Sequence, residues 1–439
     1  MSKRRVVITG LGTINPLGNN VTDTWDKLIK GESGIDTITS FETNELPVSF
    51  AGEVKNFDAN EYMGKQHARK LDRSSHLSIF ATEEALKDAN LNPEERLGPN
   101  VGIVFGTGIG GIGATEQAVR TYDERGASRI NPLAITQLMP NSSTGQVAIK
   151  YGIEGPSLTI TTACAASANA VGEAKNMIQN GIVDMVIAGG TESGTTAMTI
   201  GAFAQIRALS TNNENPKEAC RPFDKNRDGF VMGEGSTVLV MESEESAKKR
   251  GANIYGYISG YGASTDAHHI TAPAEGGKGA VEAIKKALAD AEISNEEVDY
   301  VNAHGTSTLA NDKNETAALK TVFGDKNSII ELSSEDALVP YFAATAILSS
   351  SLAQLSVAKK WLENHVDTPE AAEKYLISLM AGTYSSLEID GQDRINKALT
   401  ALSSKGGLNA QLRNHMKKEG SEDALYNGFL KLGERLNLN

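Results

Sequence analysis

Residues 157–177 read SLTITTACAASANAVGEAKNM, and this stretch indicates how the chain folds. It begins with alternating β-branched residues, which favour a buried strand, and continues into an alanine-rich pattern that favours a helix. Cys164 therefore lies where a strand ends and a helix begins. Unpaired backbone N–H groups and the positive end of the helix dipole lower the pKa of a thiol at such a position. The alternative is a buried structural cysteine, which behaves as a small apolar residue.

Short β-branched segments alternate with amphipathic helical patterns over the first three quarters of the chain, which is typical of an α/β architecture. Several of these segments end in Gly or other small residues, as expected where loops gather at strand ends to form an active site. The first predicted strand runs into a glycine-rich turn. Strands are predicted at 4–10, 100–105, 185–190, 236–242, 255–262 and 300–305, and helices at 22–31, 79–89 and 279–291.

The pattern changes around Ser328, beyond which no comparable strand signal occurs. Thr368 offers an N-cap with Pro369 at the first helical position. Helical patterns are predicted at 340–364, 370–387, 393–402, 408–418 and 421–436. We therefore predict two domains, an α/β domain over 1–327 and an all-helical domain over 333–439.

The composition limits the function classes. Lys and Arg number 42 against 55 Asp and Glu, so the net charge is −13. This balance argues against general nucleic-acid binding, and an anionic partner would need a local basic patch. Cys164 and Cys220 provide no disulfide framework and fit a reducing cytoplasm. The apolar run near the start is too short for a signal peptide, and no stretch is long enough to cross a membrane, so we expect a cytoplasmic protein.

Two motifs resemble ligand-binding loops of other kinds. Residues 106–111, GTGIGG, fit a dinucleotide fingerprint, but the acidic residue that should end a second strand is missing. A loop that lines a substrate channel is the better interpretation. Residues 224–229, DKNRDG, resemble the start of a calcium-binding loop, but Glu234 comes one residue early and a strand follows instead of a helix. We interpret this motif as a tight turn anchored by Asp224.

His304 follows a short apolar segment and precedes a glycine and two hydroxyl residues, Thr306 and Thr308, which suits an imidazole that faces a ligand. A histidine in this setting could instead be a core residue with satisfied hydrogen bonds. Together with the strand-end cysteine it favours a Cys–His catalytic arrangement. His268 and His269 are interpreted as surface or turn residues.

A basic run in the first quarter of the chain has two interpretations. Such a run is usually a solvated helix face, but in a chain of net negative charge it could dock an acidic partner. Its members are Lys65, Arg69, Lys70 and Arg73.

Seven separated motifs occur in an order that resembles the β-ketoacyl-acyl-carrier-protein synthases II, the elongating condensing enzymes of bacterial fatty-acid synthesis. The motifs are ITGLGTINPLG near the start, GTGIGGI at 106–112, TTACAAS around Cys164, MVIAGGTES at 185–193, RPFDKNRDGFVMGEG at 221–235, HITAP at 269–273 and NAHGTST at 302–308. The resemblance covers residues 1–327. It implies a dimer with a thiolase-like layered α/β fold of two similar halves. We expect the C-terminal half to be incomplete and followed by an all-helical segment.

The resemblance also implies the chemistry. Cys164 would take an acyl chain from acyl carrier protein as a thioester, and a carbanion formed from malonyl-carrier protein by loss of CO₂ would attack it. His304 would be the first of two histidines that stabilise the enolate oxygen. No cofactor is implied, because the substrates carry phosphopantetheine on the carrier protein. Substrate binding would fall to Ile109, Thr271, Thr306 and Thr308, and carrier-protein binding to Lys65, Arg69, Lys70 and Arg207.

The chain departs from the family pattern after the first histidine. Where the family has a Lys followed by Gly-His, the chain reads SSEDALVPYFAATAILSS, and the closing GFGGHN motif is absent too. His365 and His415 lie in charged helical contexts and do not replace the second histidine. We therefore expect slow acylation of Cys164 and strongly impaired condensation. The alternatives are a non-catalytic acyl- or carrier-protein-binding fusion and a poorly folding chain with an exposed sheet edge.

Residues 333–439 weakly resemble the helical dimerisation domain of pyrroline-5-carboxylate reductases. The best match is the turn KGGLN at 405–409. The nucleotide-binding domain of those reductases has no counterpart, so we do not expect reductase activity. The resemblance implies a chimera, a condensing enzyme joined to a helical module that dimerises it.

Overall fold

The structure is a computed structural model that describes residues 3–324, 354–363, 366, 368–385, 395, 408–421, 423–427 and 431. Contacts along the chain divide it into two compact units, Met1–Asn327 and Ser328–Asn439.

A six-stranded mixed sheet forms the centre of the first unit. Its spatial order is β5 (Ser157–Ile160), β4 (Val101–Gly106), β6 (Met185–Ser193), β7 (Glu234–Ser243), β1 (Val6–Ile14) and β8 (Gly256–Tyr257). β4 runs parallel to β5 and β6, whereas β7 is antiparallel to β6 and β1, and β8 is antiparallel to β1. A separate two-stranded ribbon joins β2 (Asp36–Thr37) to β3 (Phe50–Ala51).

The helices of the first unit connect and cover these strands. They are α1 (Val21–Ile29), α2 (Ala59–Met63), α3 (Lys65–Ala68), α4 (Arg73–Asp88), α5 (Ile112–Arg125), α6 (Ala134–Leu138), α7 (Ser142–Tyr151), α8 (Ala166–Gln179), α9 (Ala197–Gln205), α10 (Glu244–Lys249), α11 (Lys278–Ala291) and α12 (Leu309–Phe323).

Helices cover both faces of the central sheet. Ile103 and Phe105 of β4 pack into the apolar cluster formed with α4, while Val104 between them packs into the cluster formed with α8. Residues in β6 and β7 alternate between the two clusters in the same way. Strands buried on both faces need nearly continuous apolar sequences, which explains the uninterrupted runs at 100–105 and 185–190.

The first strand is longer than the sequence predicts. It continues through Gly10 and Gly12 to Ile14, where we expected a glycine-rich turn. A Cβ on Gly12 would lie 2.0 Å from the carbonyl oxygen of Ala81 in α4. This glycine therefore serves the close approach of a helix to the sheet, and the prediction of a turn was wrong.

Of two strands predicted in the second half of the unit, one is much shorter than predicted and the other was wrong. Only Gly256–Tyr257 of the segment 255–262 pairs in the sheet, and residues 300–305 form no strand. A strand requires a neighbour to pair with, and the described residues place none beside 300–305. The backbone N–H groups of His304 and Gly305 bind a side chain instead.

A buried ion pair joins α8 to the second half of the unit. The Nζ atom of Lys175, which is 1% exposed, lies 2.6 Å from Oδ2 of Asp290 in α11. The same carboxylate accepts the backbone N–H of Tyr261 at 3.0 Å. The Tyr261 hydroxyl in turn accepts a hydrogen bond from Asn169 of α8 at 2.8 Å. These contacts fix α11 and the segment before it against the helix that begins beside Cys164.

The described part of the second unit is helical. Helices span Pro369–Ser385 and Leu408–Lys418, and residues 354–362 are helical as well. The hydroxyl of Thr368 accepts the backbone N–H of Ala371 at 3.2 Å, as the predicted N-cap requires. Residues 340–353 of the helix predicted at 340–364 lie outside the described residues, as does the helix predicted at 393–402 apart from residue 395. Most of the turn at 405–409 and His365 lie outside them as well. None of the helices described is both long and apolar enough to span a bilayer.

Candidate active site

Cys164 lies at the predicted junction of strand and helix. β5 ends at Ile160, a 3₁₀ turn spans Ala163–Ala165, and α8 begins at Ala166. Ala163 has a φ of 52°, a left-handed conformation that is uncommon and strained for a residue with a side chain. The left-handed residue turns the chain sharply, so that Cys164 is presented in the first turn leading into α8. Cys164 is solvent-exposed and its thiol is free.

His304 lies in an exposed loop held by one carboxylate. Oε1 of Glu315 in α12 accepts the backbone N–H of His304 at 2.6 Å, and Oε2 accepts that of Gly305 at 2.8 Å. Ser307 in the same loop is buried and has a φ of 64°. The loop conformation is thus set by the helix that follows it, and this fixes where the imidazole points.

The thiol of Cys164 and the imidazole of His304 lie close enough for each to shift the pKa of the other. The interaction with His304 lowers the pKa of Cys164, while partial burial opposes the change. It also raises the pKa of His304, again against burial, with smaller contributions from the charges of Glu315 and Asp312. Both shifts favour a thiolate beside an imidazolium, which is the activated form of a nucleophilic cysteine.

The Cys164 thiol borders an open cavity of about 900 Å³ at the ends of β4 and β6. The rings of Phe203 and Phe230 meet edge to face there, with centroids 5.4 Å apart. Apolar side chains that line the cavity include Ile109, Val171, Phe203, Phe230, Met232 and Leu239. A cavity with this lining fits an apolar chain attached to the sulfur.

The glycine-rich loop at 106–111 lines the same cavity, and its donors are already occupied. Oε2 of Glu192, at the end of β6, accepts the backbone N–H of Gly108 at 2.7 Å and that of Ile109 at 3.1 Å. Burial raises the pKa of Glu192, while these N–H groups act to lower it. A phosphate would need the same donors, so this geometry argues against a dinucleotide site. The loop instead holds Ile109 at the cavity wall.

The motif DKNRDG forms a turn that supports the His304 loop. Oδ1 of Asp224 accepts the backbone N–H of Asn226 at 2.6 Å, which makes an Asx turn. The side chain of Arg227 contacts α12, and its Nε lies 3.2 Å from Oδ2 of the buried Asp312. The same Nε donates a hydrogen bond to the carbonyl oxygen of Thr308 at 3.2 Å. No three metal-binding side chains cluster anywhere in the described residues, the calcium-like motif included.

The threonines assigned to the phosphopantetheine arm fall in two places. Thr306 and Thr308 lie in the His304 loop, their hydroxyl oxygens 2.8 Å apart, and Thr308 caps α12. Thr271 lies in the exposed segment before α11, and its N–H donates to Nδ1 of His269 at 3.1 Å. Nδ1 of His269 also accepts the N–H of Ala272, so His269 stabilises a turn. No hydrogen bond between Thr271 and the Thr306–Thr308 pair occurs among the described residues.

Three of the four predicted carrier-binding residues lie together. Lys65 begins α3, and Arg69 and Lys70 directly follow it; all three are exposed. Arg207 is exposed at the end of α9, with a φ of 57°. Over residues 3–324 none of the four forms an ion pair. Arg73 was wrongly grouped with the exposed basic run, because its guanidinium binds both carboxylate oxygens of Glu234 at 2.7 and 2.9 Å.

The sequence analysis missed two carboxylates of the site, Glu192 and Glu315. Glu192 accepts N–H groups from residues more than eighty positions away, and Glu315 accepts them from the loop before its own helix. Contacts at such separations leave no periodic pattern in the local sequence. A signal existed for Glu192, because it is an acidic residue near the end of an otherwise apolar or small-residue strand, MVIAGGTES. A buried acid at a strand end is a recognised mark of a functional site.

The fold and the site together define a class of protein. A mixed sheet covered on both faces, with a cysteine between a strand and a helix that meets a loop histidine beside an apolar cavity, is the arrangement of a thiolase-like condensing enzyme.

The chain belongs to the β-ketoacyl synthase family. The description "Beta-ketoacyl synthase, N-terminal domain" matches residues 3–247, and "Beta-ketoacyl synthase, C-terminal domain" matches residues 255–366. The second match runs past Asn327 into the segment that we assigned to the helical module. The chain is 44% identical to 3-oxoacyl-[acyl-carrier-protein] synthase 2 of Staphylococcus aureus (strain COL) over 355 residues, which is 81% of this chain and 86% of that protein.

Solved structures of ketosynthases share the fold. The ishigamide ketosynthase/chain length factor matches 74% of this chain and 79% of its own with a TM-score of 0.69 and 33% identity. A ketosynthase bound to a hexaketide, in complex with its type II PKS acyl-carrier protein, matches with the same coverage, a TM-score of 0.68 and 33% identity.

Proposed function

We propose that the chain accepts an acyl group from acyl carrier protein on Cys164 and condenses it with malonyl-carrier protein. The thiolate attacks the acyl thioester, the bond between the acyl carbon and the carrier sulfur breaks, and the departing thiolate takes a proton from the His304 imidazolium. Malonyl-carrier protein then loses CO₂, and the resulting enolate attacks the acyl carbon on Cys164 and displaces the sulfur. The product is a β-ketoacyl chain two carbons longer.

One observation carries this proposal, namely the pairing of Cys164 with His304 beside the apolar cavity. The pair supplies a nucleophilic thiolate and a proton donor, and the cavity supplies room for the chain. The match to 3-oxoacyl-[acyl-carrier-protein] synthase 2 supports the same substrates.

The condensation step is expected to be much slower than acylation. The chain has no Lys and Gly-His pair after His304 and no GFGGHN motif. In the family those groups complete the stabilisation of the enolate, and removing one such donor typically costs about 10²–10³ in rate. When acyl- and malonyl-carrier protein are supplied together, we expect one acyl group to form on each enzyme. The β-ketoacyl product should then form about 10²–10³ times more slowly than the acyl-enzyme.

The assay combines intact-mass measurement of the enzyme with chromatographic detection of the product. Acylation followed by slow product formation supports the proposed enzyme. Carrier-protein binding without any acyl-enzyme would favour the alternative, a binding fusion that does not catalyse. Product formed as fast as the acyl-enzyme itself would contradict the expected impairment.

The cluster of Lys65, Arg69 and Lys70 is proposed as the docking site for the acidic carrier protein, together with Arg207. Changing the first three to Glu should raise the KM for acyl-carrier protein by about tenfold or more, because each exposed charge pair is worth roughly 0.2–1 kcal/mol and reversal adds repulsion. The loss should shrink as salt is raised.

The matched control for this surface is a Lys30→Glu, Lys285→Glu double variant. Lys30 directly follows α1, and Lys285 lies in α11. Both are exposed, and neither forms an ion pair within residues 3–324. The control should leave the KM unchanged, and alkylation of Cys164 should be unaffected in both proteins. An equal rise of the KM in both variants would contradict a specific docking site.

We also propose that two copies associate. β5 pairs with β4 on one side only within the described sheet, and Leu158 of β5 is 47% exposed. An open apolar edge strand is a ready site for pairing with a second copy. The helical tail is a second candidate contact, since Val357 and Tyr375 are also exposed there. Sedimentation should give the mass of a dimer, and the mass of a monomer would contradict association.

A further inference from the structure

One carboxylate fixes the whole glycine-rich loop beside Cys164. Besides the N–H groups of Gly108 and Ile109, Oε2 of Glu192 accepts the hydroxyl of Thr107 at 3.3 Å. That hydroxyl oxygen accepts the N–H of Gly110 at 3.1 Å. The Glu192 carboxylate therefore holds residues 107–109 directly and Gly110 through Thr107. Glu192 lies at the end of a different strand, 83 to 85 positions further along the chain than the residues it binds.

The loop is confined on its two sides. A Cβ on Gly108 would lie 3.0 Å from Oε2 of Glu192 and 3.9 Å from Cα of Ala163, the neighbour of the nucleophile. On the other side a Cβ on Gly111 would lie 2.0 Å from the carbonyl oxygen of Gln137 in α6. The loop can shift only if one of these sides gives way. On the side of the cavity, Glu192 holds three donors of the loop, directly at residues 107, 108 and 109.

Ile109 is the loop residue whose side chain faces the acyl cavity. It is 37% exposed, it lines the cavity with Cys164, and its Cδ1 would lie 3.7 Å from a Cβ placed on Gly194. Its side chain therefore occupies space that an acyl chain would use. Where Ile109 lies depends on its backbone N–H, and that N–H is held by Glu192.

We infer that Glu192 is a positioning residue that sets which acyl chains Cys164 accepts, by fixing Ile109 at the wall of the cavity. The inference rests on the proposed acyl transfer to Cys164. Glu192 does not touch the reacting atoms in this account. Its removal should alter the selection among acyl chains, while the reactivity of the thiol toward a small reagent stays the same.

The test measures acylation of Cys164 by short-chain and long-chain acyl-carrier proteins, with iodoacetamide alkylation as the reference for the thiol. In Glu192→Ala the ratio of long-chain to short-chain acylation rates should change by about tenfold, since bonds to a charged acceptor are lost. Alkylation should change less than twofold. Glu192→Gln should fall between the parent and the alanine variant, because the amide oxygen still accepts N–H groups.

The matched control is Glu53→Ala. The Glu53 carboxylate also binds four donors of a loop, the N–H and hydroxyl groups of Thr39 and Ser40, but it does not line the Cys164 cavity. This variant should leave the chain-length ratio unchanged. A similar change of the ratio in Glu53→Ala would mean a general loss of rigidity and would overturn the inference.

A second variant keeps the inference testable if Glu192→Ala folds poorly. Ile109→Ala should change the chain-length ratio by itself, and adding Glu192→Gln should change it little further, because both act through one side chain. Independent, additive effects would overturn the inference, as would an unchanged ratio in every Glu192 variant. A parent enzyme that forms no acyl adduct would refute the proposed acyl transfer instead, and iodoacetamide would still report an intact thiol.

Discussion

Replacing Cys164 by Ser is expected to abolish formation of the acyl-enzyme. The parent should gain the mass of one acyl group when it is mixed with acyl-carrier protein, and the variant should gain none. The physical reason is that the neighbouring His304 lowers the pKa of the Cys164 thiol and so stabilises a thiolate. A serine hydroxyl in the same position stays protonated and is a far weaker nucleophile.

The control for this experiment is the other cysteine. Cys220 is also a free cysteine in an exposed position, but partial burial of its side chain and the charge of Asp312 raise its pKa, so little thiolate forms there at neutral pH. Cys220→Ser should therefore keep the full acyl adduct. An adduct that survives in Cys164→Ser and disappears in Cys220→Ser would assign the chemistry to the wrong cysteine and contradict the proposed mechanism.

Replacing His304 by Ala is expected to slow alkylation of Cys164 at neutral pH by about tenfold or more. The interaction with His304 is the largest cause of the lowered pKa of Cys164, and burial, which acts the other way, remains after the change. Each unit by which the pKa rises reduces the thiolate about tenfold below that pKa. Acylation should fall further still, because the departing carrier thiolate also loses its proton donor.

The comparison protein for this prediction is His268→Ala. His268 is exposed, and its side chain forms no hydrogen bond or ion pair within residues 3–324. Its removal should leave both rates at the parent values. Equal alkylation rates in His304→Ala and the parent, over the whole pH range, would show that the imidazole does not act on the thiol.

Local sequence predicted the part of the site that depends on neighbours along the chain. β-branched residues followed by alanines predicted the strand and helix around Cys164, and these are β5 and α8 of the structure. The prediction that this strand is buried was wrong, because β5 lies at the edge of the sheet with Leu158 exposed. The left-handed conformation of Ala163 was not predicted, because alanine seldom adopts it and only the surrounding fold imposes it. The role of His304 was inferred from its neighbours and from the cysteine, whereas Glu315, which orients its loop, went unnoticed.

The errors share one cause, which is that tertiary contacts override local patterns. Gly10 and Gly12 predicted a turn but lie inside β1, where α4 approaches the sheet. The apolar run before His304 predicted a strand, but no neighbouring strand in residues 3–324 pairs with it. The contacts of Glu192 with residues 107–109 cross more than eighty positions and could not be read from either segment alone.

The most direct test of the account is the pH dependence of Cys164 alkylation by iodoacetamide, measured in a Cys220→Ser background. The interaction with His304 lowers the pKa of Cys164, so thiolate should persist as the pH falls below the range of an ordinary cysteine. The account predicts a rate profile with its midpoint below the value of about 8.5 for a free thiol. A midpoint at or above that value would contradict an activated Cys164 and the acyl transfer that depends on it.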